Sequence, residues 1–169
     1  ISLMPTNLYG PGDNYHSMNS HVMPALIKKI TDAKSNGSKS ITCWGSGKPL
    51  REFLYVDDLA EACLFALDNW DPNNKNSPKD SKGNPLSILN VGSEFEISIK
   101  DLVQKISEIV GYEGNILWDH NKPDGTPRKK LEISKMSNLG WEAKTDLDMG
   151  IKLTLDSYKN ELKNKNIRV

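Results

Sequence analysis

Apolar positions along this chain recur at two alternating periods. Residues 1–6 form a short apolar run that reads as a buried strand. It ends in the turn-rich Tyr9-Gly10-Pro11-Gly12-Asp13-Asn14. Over residues 21–33 the spacing changes: Val22, Leu26, Ile27 and Ile30 share one face of a helix. Pro24 falls in that helix's first turn, where proline is tolerated. Residues 40–44 read as a strand running into the Gly45-Ser46-Gly47 turn, and residues 51–55 as a further extended segment. Asp57 or Asp58 then opens a helix to about Leu67, an acidic start that suits the helix dipole.

Residues 70–85 are rich in Asn, Pro, Lys, Asp and Ser, and predict a polar, mobile loop with no assigned function. Beyond it, residues 86–91 predict a strand and residues 98–110 a helix. The helix opens with Ser98-Ile-Lys-Asp101, a capping-box-like start with Asp in place of Glu. Residues 115–119 predict a strand, 122–130 a basic loop with Pro and Gly, and 134–139 a short helical turn. Thr145-Asp-Leu-Asp148 predicts the cap of a final helix to about Leu162. Strands alternating with helices define an α/β class with parallel pairing. So few strands would leave sheet edges and a helix face uncovered. The chain also opens at Ile1 rather than Met. Both features lead to the expectation of a partner segment upstream.

Composition narrows the function classes. The 169 residues hold 22 basic and 22 acidic side chains, with net charge zero. A nucleic-acid binder usually carries a basic excess, and none is evident. No apolar run approaches the length of a membrane helix, and no signal peptide is recognisable at the start. Cys43 and Cys63 lie in separate segments, with no disulfide framework or metal-ligand spacing, and read as reduced thiols of a cytoplasmic protein. No metal site is expected. There is no GxGxxG or GxxGxxG phosphate loop and no nucleophile elbow.

Arginine is scarce: Arg51, Arg128 and Arg168 stand against nineteen lysines. The two internal arginines lie in turn-flanked segments, and a planar guanidinium suits phosphate. Arg51 follows Trp44-Gly-Ser-Gly-Lys-Pro-Leu, so an aromatic face, small residues and a cation together suggest a nucleotide-diphosphate site. The competing reading makes Trp44 core and pairs Arg51 with Glu52 or Asp58. His21, at a helix N-terminus after a polar loop, has the chemistry of a proton exchanger. Its competing reading is a capping or loop-pinning histidine. His16 and His120 read as exposed loop residues.

Taken in order, the segments Pro5-Thr-Asn-Leu-Tyr-Gly-Pro, Asn19-Ser-His-Val-Met-Pro-Ala-Leu-Ile, Trp44-Gly-Ser-Gly, Arg51-Glu-Phe-Leu-Tyr-Val-Asp-Asp, Asn90-Val-Gly and Lys122-Pro-Asp-Gly-Thr-Pro-Arg-Lys resemble the GDP-L-fucose synthases. These are extended short-chain dehydrogenase/reductases of the NAD-dependent epimerase/dehydratase family. The resemblance covers nearly the whole chain and is most particular in the Asn-Ser-His-Val segment and the Lys122 loop. It implies the C-terminal part of a Rossmann-type enzyme, residues 1–169 forming the substrate-binding portion. The dinucleotide-binding part, with its Gly-rich loop and Tyr-x-x-x-Lys pair, would lie upstream. The implied reaction is C3/C5 epimerisation and NADPH-dependent C4 reduction of GDP-4-keto-6-deoxy-D-mannose. By position, His21 matches the family's catalytic acid. Pro5, Thr6, Asn7 and Leu8, with His21, match the segment touching NADP(H). Lys29, Trp44, Arg51 and Asp124 match contacts to the GDP-sugar. Cys43 and Cys63 do not match the family's catalytic cysteine. The resemblance further implies a homodimer for the complete enzyme and inactivity for this part alone. Two other readings remain: another nucleotide-sugar epimerase or dehydratase of the superfamily, and a non-catalytic nucleotide-sugar-binding module.

Overall fold

The structure, a computed structural model, describes residues 1–168. In chain order it runs β1 (Ser2–Pro5), β2 (Asn7–Tyr9), α1 (Val22–Ser35), β3 (Ser40–Trp44), β4 (Leu50–Tyr55) and α2 (Val56–Asn69). It continues through β5 (Ile88–Val91), β6 (Glu96–Ser98), α3 (Ile99–Val110), β7 (Asn115–Asp119), β8 (Arg128–Lys129), α4 (Ser134–Leu139) and α5 (Leu147–Asn164). The α/β class expected from the alternation is the class observed. Pairing is parallel between β1 and β5, β2 and β4, β3 and β7, and β4 and β8. The antiparallel exception is β4 with β6. Strand β4 is the hub, since its C-terminal half pairs with β2 and its N-terminal half with both β6 and β8.

Two apolar clusters hold the elements. The larger lies among α1, α3 and α5 and the inner faces of β3 and β4. Ile27, Ile30, Leu102, Ile106, Ile151 and Tyr158 are all fully buried there. Each such aliphatic side chain contributes roughly 1.5–3 kcal/mol by leaving water. The helical stripe of α1 supplies one wall, as its spacing predicts. The smaller cluster packs Leu54, Ala62, Ala66, Leu89, Val91, Met136 and Trp141, with Leu3 and Leu8 against it.

Four expectations are corrected. First, the opening strand is not buried: Met4 is 53% and Ile1 42% exposed. A parallel strand becomes core only when both its faces are covered, and β1 has β5 as its only ladder partner among the described residues. Second, residues 70–85 are more than a bare polar loop, because they carry hydrogen bonds and a bridge of their own. Trp70 Nε1 donates to the Leu86 carbonyl at 3.0 Å, Ser77 and Pro78 are buried, and Lys79 bridges Pro85. Asp80 closes the tip by accepting N–H groups from Lys82 and Asn84. Third, the cap of α5 is Asp146, which accepts from Met149 N–H at 2.8 Å. Thr145 instead binds the buried Asp58 through its N–H (3.0 Å) and hydroxyl (3.1 Å). Fourth, β2, β6 and β8 are additional strands, three, three and two residues long, too short for a period to reveal. The Ser98 cap of α3 forms as expected, its hydroxyl accepting from Asp101 N–H at 3.0 Å. No helix of the described residues is long and apolar enough to cross a membrane.

Candidate functional site

Strand β3 alternates between core and solvent, burying Ile41 and Cys43 while Thr42 and Trp44 point outward. The period of two thus puts Trp44 at the surface, 64% exposed, which removes its reading as core. The Lys122 ammonium stands 5.3 Å from its ring centroid. Beside it runs a groove of about 710 Å³ between α1 and β3, with Val22, Leu26, Lys29, Ile41, Cys43 and Trp44 in its walls. Burial pushes the Cys43 thiol above its ordinary value, although the Lys29 charge opposes this. Lys29 is exposed, and its ammonium donates to the Thr42 carbonyl at 2.9 Å.

Past Trp44 the chain turns through Gly45, whose φ of +77° favours glycine. A Cβ there would also strike the Asp124 carboxylate. This close approach lets Asp124 accept the Ser46 N–H at 2.8 Å and the Ser46 hydroxyl at 2.6 Å. The Ser46 hydrogen bonds hold the Asp124 carboxyl below the usual aspartate range. Arg51, at the start of β4, donates to the Leu50 carbonyl at 2.7 Å and the Thr126 carbonyl at 2.6 Å. Neither Glu52 nor Asp58 forms an ion pair with it. Arg51 and Asp124 therefore meet from segments more than seventy residues apart, joined through the 124–126 loop. Arg128 belongs elsewhere: its guanidinium makes a two-point pair with Glu96, at 2.8 and 2.6 Å.

His21 is the N-cap residue of α1, in extended backbone (φ −71°, ψ 166°), exposed, and its side chain caps nothing. The capping reading is thus not realised. Loop pinning falls to His16, which is half-buried and accepts N–H groups from Met18 (3.1 Å) and Asn19 (3.2 Å) at Nδ1. The carboxyl of Asp13, before this loop, is raised chiefly by burial, with the His21 charge pulling it back.

The candidate cofactor segment lies at the β1–β2 break. Pro5 is exposed, Thr6 and Asn7 are half-buried, and Leu8 packs on the smaller cluster. The Thr6 hydroxyl (3.2 Å) and the Asn7 amide (2.7 Å) both donate to the Glu52 carbonyl.

Glu52 itself went unread in the sequence. It is fully buried, and its carboxylate accepts N–H groups from Ser93 and Glu94 (2.9 Å each) and from Leu131 (3.0 Å). A charged residue directly ahead of the apolar Phe53-Leu54-Tyr55 run was the available signal, and pairing it with Arg51 concealed it. Among the described residues no cluster of His, Cys, Asp and Glu could hold a metal ion.

Lys29 and the solvent-facing Trp44 thus line one groove of a Rossmann-type α/β piece, while Asp124 and Arg51 are held on the adjoining turns by Ser46 and the Thr126 carbonyl. The model of the NAD dependent epimerase/dehydratase family matches residues 1–82. It is 47% identical over 165 residues to GDP-L-fucose synthase 1 of Arabidopsis thaliana, covering 98% of this chain and 47% of that one. It superposes with TM-score 0.81 and 30% identity on a GDP-L-fucose synthetase from Naegleria fowleri bound to NADP, covering 99% of this chain and 48% of that one. A GDP-6-OMe-4-keto-L-xylo-heptose reductase from C. jejuni gives TM-score 0.83 at 30% identity, over 95% of this chain and 54% of that one. The chain spans about half the length of the curated relatives it matches.

Proposed function

We propose that this chain is the nucleotide-sugar-binding portion of a GDP-L-fucose synthase. The complete enzyme would convert GDP-4-keto-6-deoxy-D-mannose to GDP-L-fucose by C3/C5 epimerisation and C4 reduction. The observation that carries this reading is that Lys29 and Trp44 line one groove while the 122–126 loop links Lys122 to Trp44, Asp124 to Ser46 and the Thr126 carbonyl to Arg51, in a chain 47% identical to a GDP-L-fucose synthase. Trp44 offers an open ring for stacking. Arg51 and Lys29 supply cations for the diphosphate. Asp124, held ionised by Ser46, accepts hydrogen bonds from base or ribose. The substrate's C4 ketone acidifies the protons on C3 and C5. A base removes one proton, and the resulting enolate is reprotonated on the opposite face. His21 is the proposed acid: its imidazole is exposed at the N-terminus of α1, which walls the groove, and it makes no side-chain hydrogen bond to cap the helix. NADPH, when bound, supplies the hydride for the C4 ketone, and Pro5, Thr6, Asn7 and Leu8 form one edge of its nicotinamide end. The rest of this reading is an upstream dinucleotide-binding part, a homodimer and a cytoplasmic location.

The test is NADPH oxidation by the complete enzyme with GDP-4-keto-6-deoxy-D-mannose. Turnover is expected, with competition by GDP stronger than by UDP or dTDP. A folded complete enzyme inert on this substrate would sink the proposal. His21→Gln is expected to lower kcat roughly 10²–10⁴-fold while GDP binding stays intact. Unchanged turnover would remove His21 from the chemistry. The likeness to a GDP-4-ketoheptose reductase favours one second reading, reduction of a related GDP-4-ketosugar. Activity on that substrate and not on the 6-deoxy sugar would select it.

A further inference from the structure

The mechanism above leaves one buried charge unused. The Glu52 side chain is 0% exposed, and no lysine, arginine or histidine pairs with it among the described residues. An unpaired buried carboxylate is costly unless hydrogen bonds replace its water. Here the replacement is entirely backbone: Oε1 accepts from Ser93 and Glu94, and Oε2 from Leu131. An ionised carboxylate only accepts, so it matches three N–H donors as no neutral side chain of its size does. Three features show the site is built for this charge. Gly92 leaves the room, since a Cβ there would collide with Oε1. Glu94 adopts a left-handed φ of +63°, unusual for a non-glycine residue, with its N–H on that same oxygen. Asn90 Nδ2 donates to the Glu132 carbonyl at 2.9 Å, fixing β5, which ends just before Gly92, to the segment that carries Leu131. The Arg51-Glu and Asn90-Val-Gly motifs are thus two halves of one contact.

What Glu52 clamps bears on function. Leu131 ends the exposed loop that presents Lys122 to Trp44, Asp124 to Ser46 and the Thr126 carbonyl to Arg51. The carbonyl of Glu52 also receives Thr6 and Asn7, the candidate cofactor edge. We propose that Glu52 is a positioning residue for the nucleotide-sugar site. Its buried carboxylate locks the 93–94 turn to residue 131 and so holds the 122–130 loop in register with Arg51 and Trp44. This rests on the reading of that face as a GDP-sugar site.

The experiment compares wild type, Glu52→Gln, Glu52→Asp and Gly92→Ala in the complete enzyme. It measures GDP affinity, NADPH affinity, and KM and kcat for the ketosugar. Glu52→Gln keeps size and one acceptor but sets a donor against the Leu131 N–H. It is expected to weaken GDP binding and raise the sugar KM about tenfold or more, with NADPH affinity within about twofold. Gly92→Ala displaces the carboxylate without removing its charge and is expected to reproduce the same split. Glu52→Asp, which keeps the charge with a shorter reach, is expected to fall between. Folded variants with wild-type GDP affinity and KM would overturn the proposal. So would an equal loss for GDP and NADPH, or failure of all three to fold, either of which would make Glu52 a general structural residue. Absence of GDP binding by the wild-type enzyme would instead defeat the functional reading on which the proposal rests.

Discussion

The two apolar clusters use similar residues but are closed differently. The larger is wrapped by three helices and two strands, and Ile27, Ile30, Leu102, Ile106 and Ile151 lie wholly inside it. The elements around the smaller cluster are as well formed, yet they turn Met4 and Ile88 outward from β1 and β5, and Leu64 and Leu67 outward from α2. Ordered apolar surface of this kind is characteristic of a contact face. The division matches the candidate chemistry. Lys29 and Trp44 stand on the enclosed half, on a helix and a strand that pack into its core, and that core gives them a rigid base. Pro5 and Thr6 stand at the edge of the half that is covered on one side. The candidate GDP-sugar contacts therefore stand on the enclosed half, and the candidate cofactor segment stands at the open edge.

The comparison can be broken most forcefully in the enclosed half. Ile106→Ala removes a fully buried side chain from α3 and is expected to cost about 2–5 kcal/mol in urea unfolding. A loss below about 1 kcal/mol would mean this half is no better packed than the other. The link between the halves comes next. Asp58, 4% exposed on α2, holds the N–H and hydroxyl of Thr145 just ahead of α5. Asp58→Ala strands those donors and is expected to cost about 1–3 kcal/mol and to lower the cooperativity of unfolding. One unchanged transition would show that the halves are coupled by other contacts. The smallest effect belongs to the open face. Leu67, 72% exposed, should tolerate Leu67→Ser within about 0.5 kcal/mol, with reduced self-association in light scattering. A large destabilisation would show that this surface is internal after all.

Much of the architecture was legible because the periods are strong. The stripe of α1, the alternation of β3 and the Ser98 cap of α3 each depend on neighbours within one or two turns of chain. Trp44 marks where that legibility stopped. Its position on β3 was read correctly, but a five-residue strand can present either face to the core. Only packing against α1 decided that Cys43 turns in and Trp44 out. At Thr145 and Asp146 two adjacent residues could each cap a helix. The choice fell to Asp146 because Asp58, 87 residues away, claims Thr145.

The site divides along the same line. By itself the sequence determined the α/β class, the order of the longer elements, the scarcity of arginine and the motifs that carry the family resemblance. These are local or compositional properties, written in the spacing of side chains. Tertiary structure alone decided that Arg51 reaches the Thr126 carbonyl, that Asp124 binds Ser46, and that Arg128 is taken by Glu96. It alone showed Glu52 as the buried joint between two distant motifs. Those contacts join segments dozens of residues apart. Their partners are chosen by how the strands pair around β4, which no local spacing encodes.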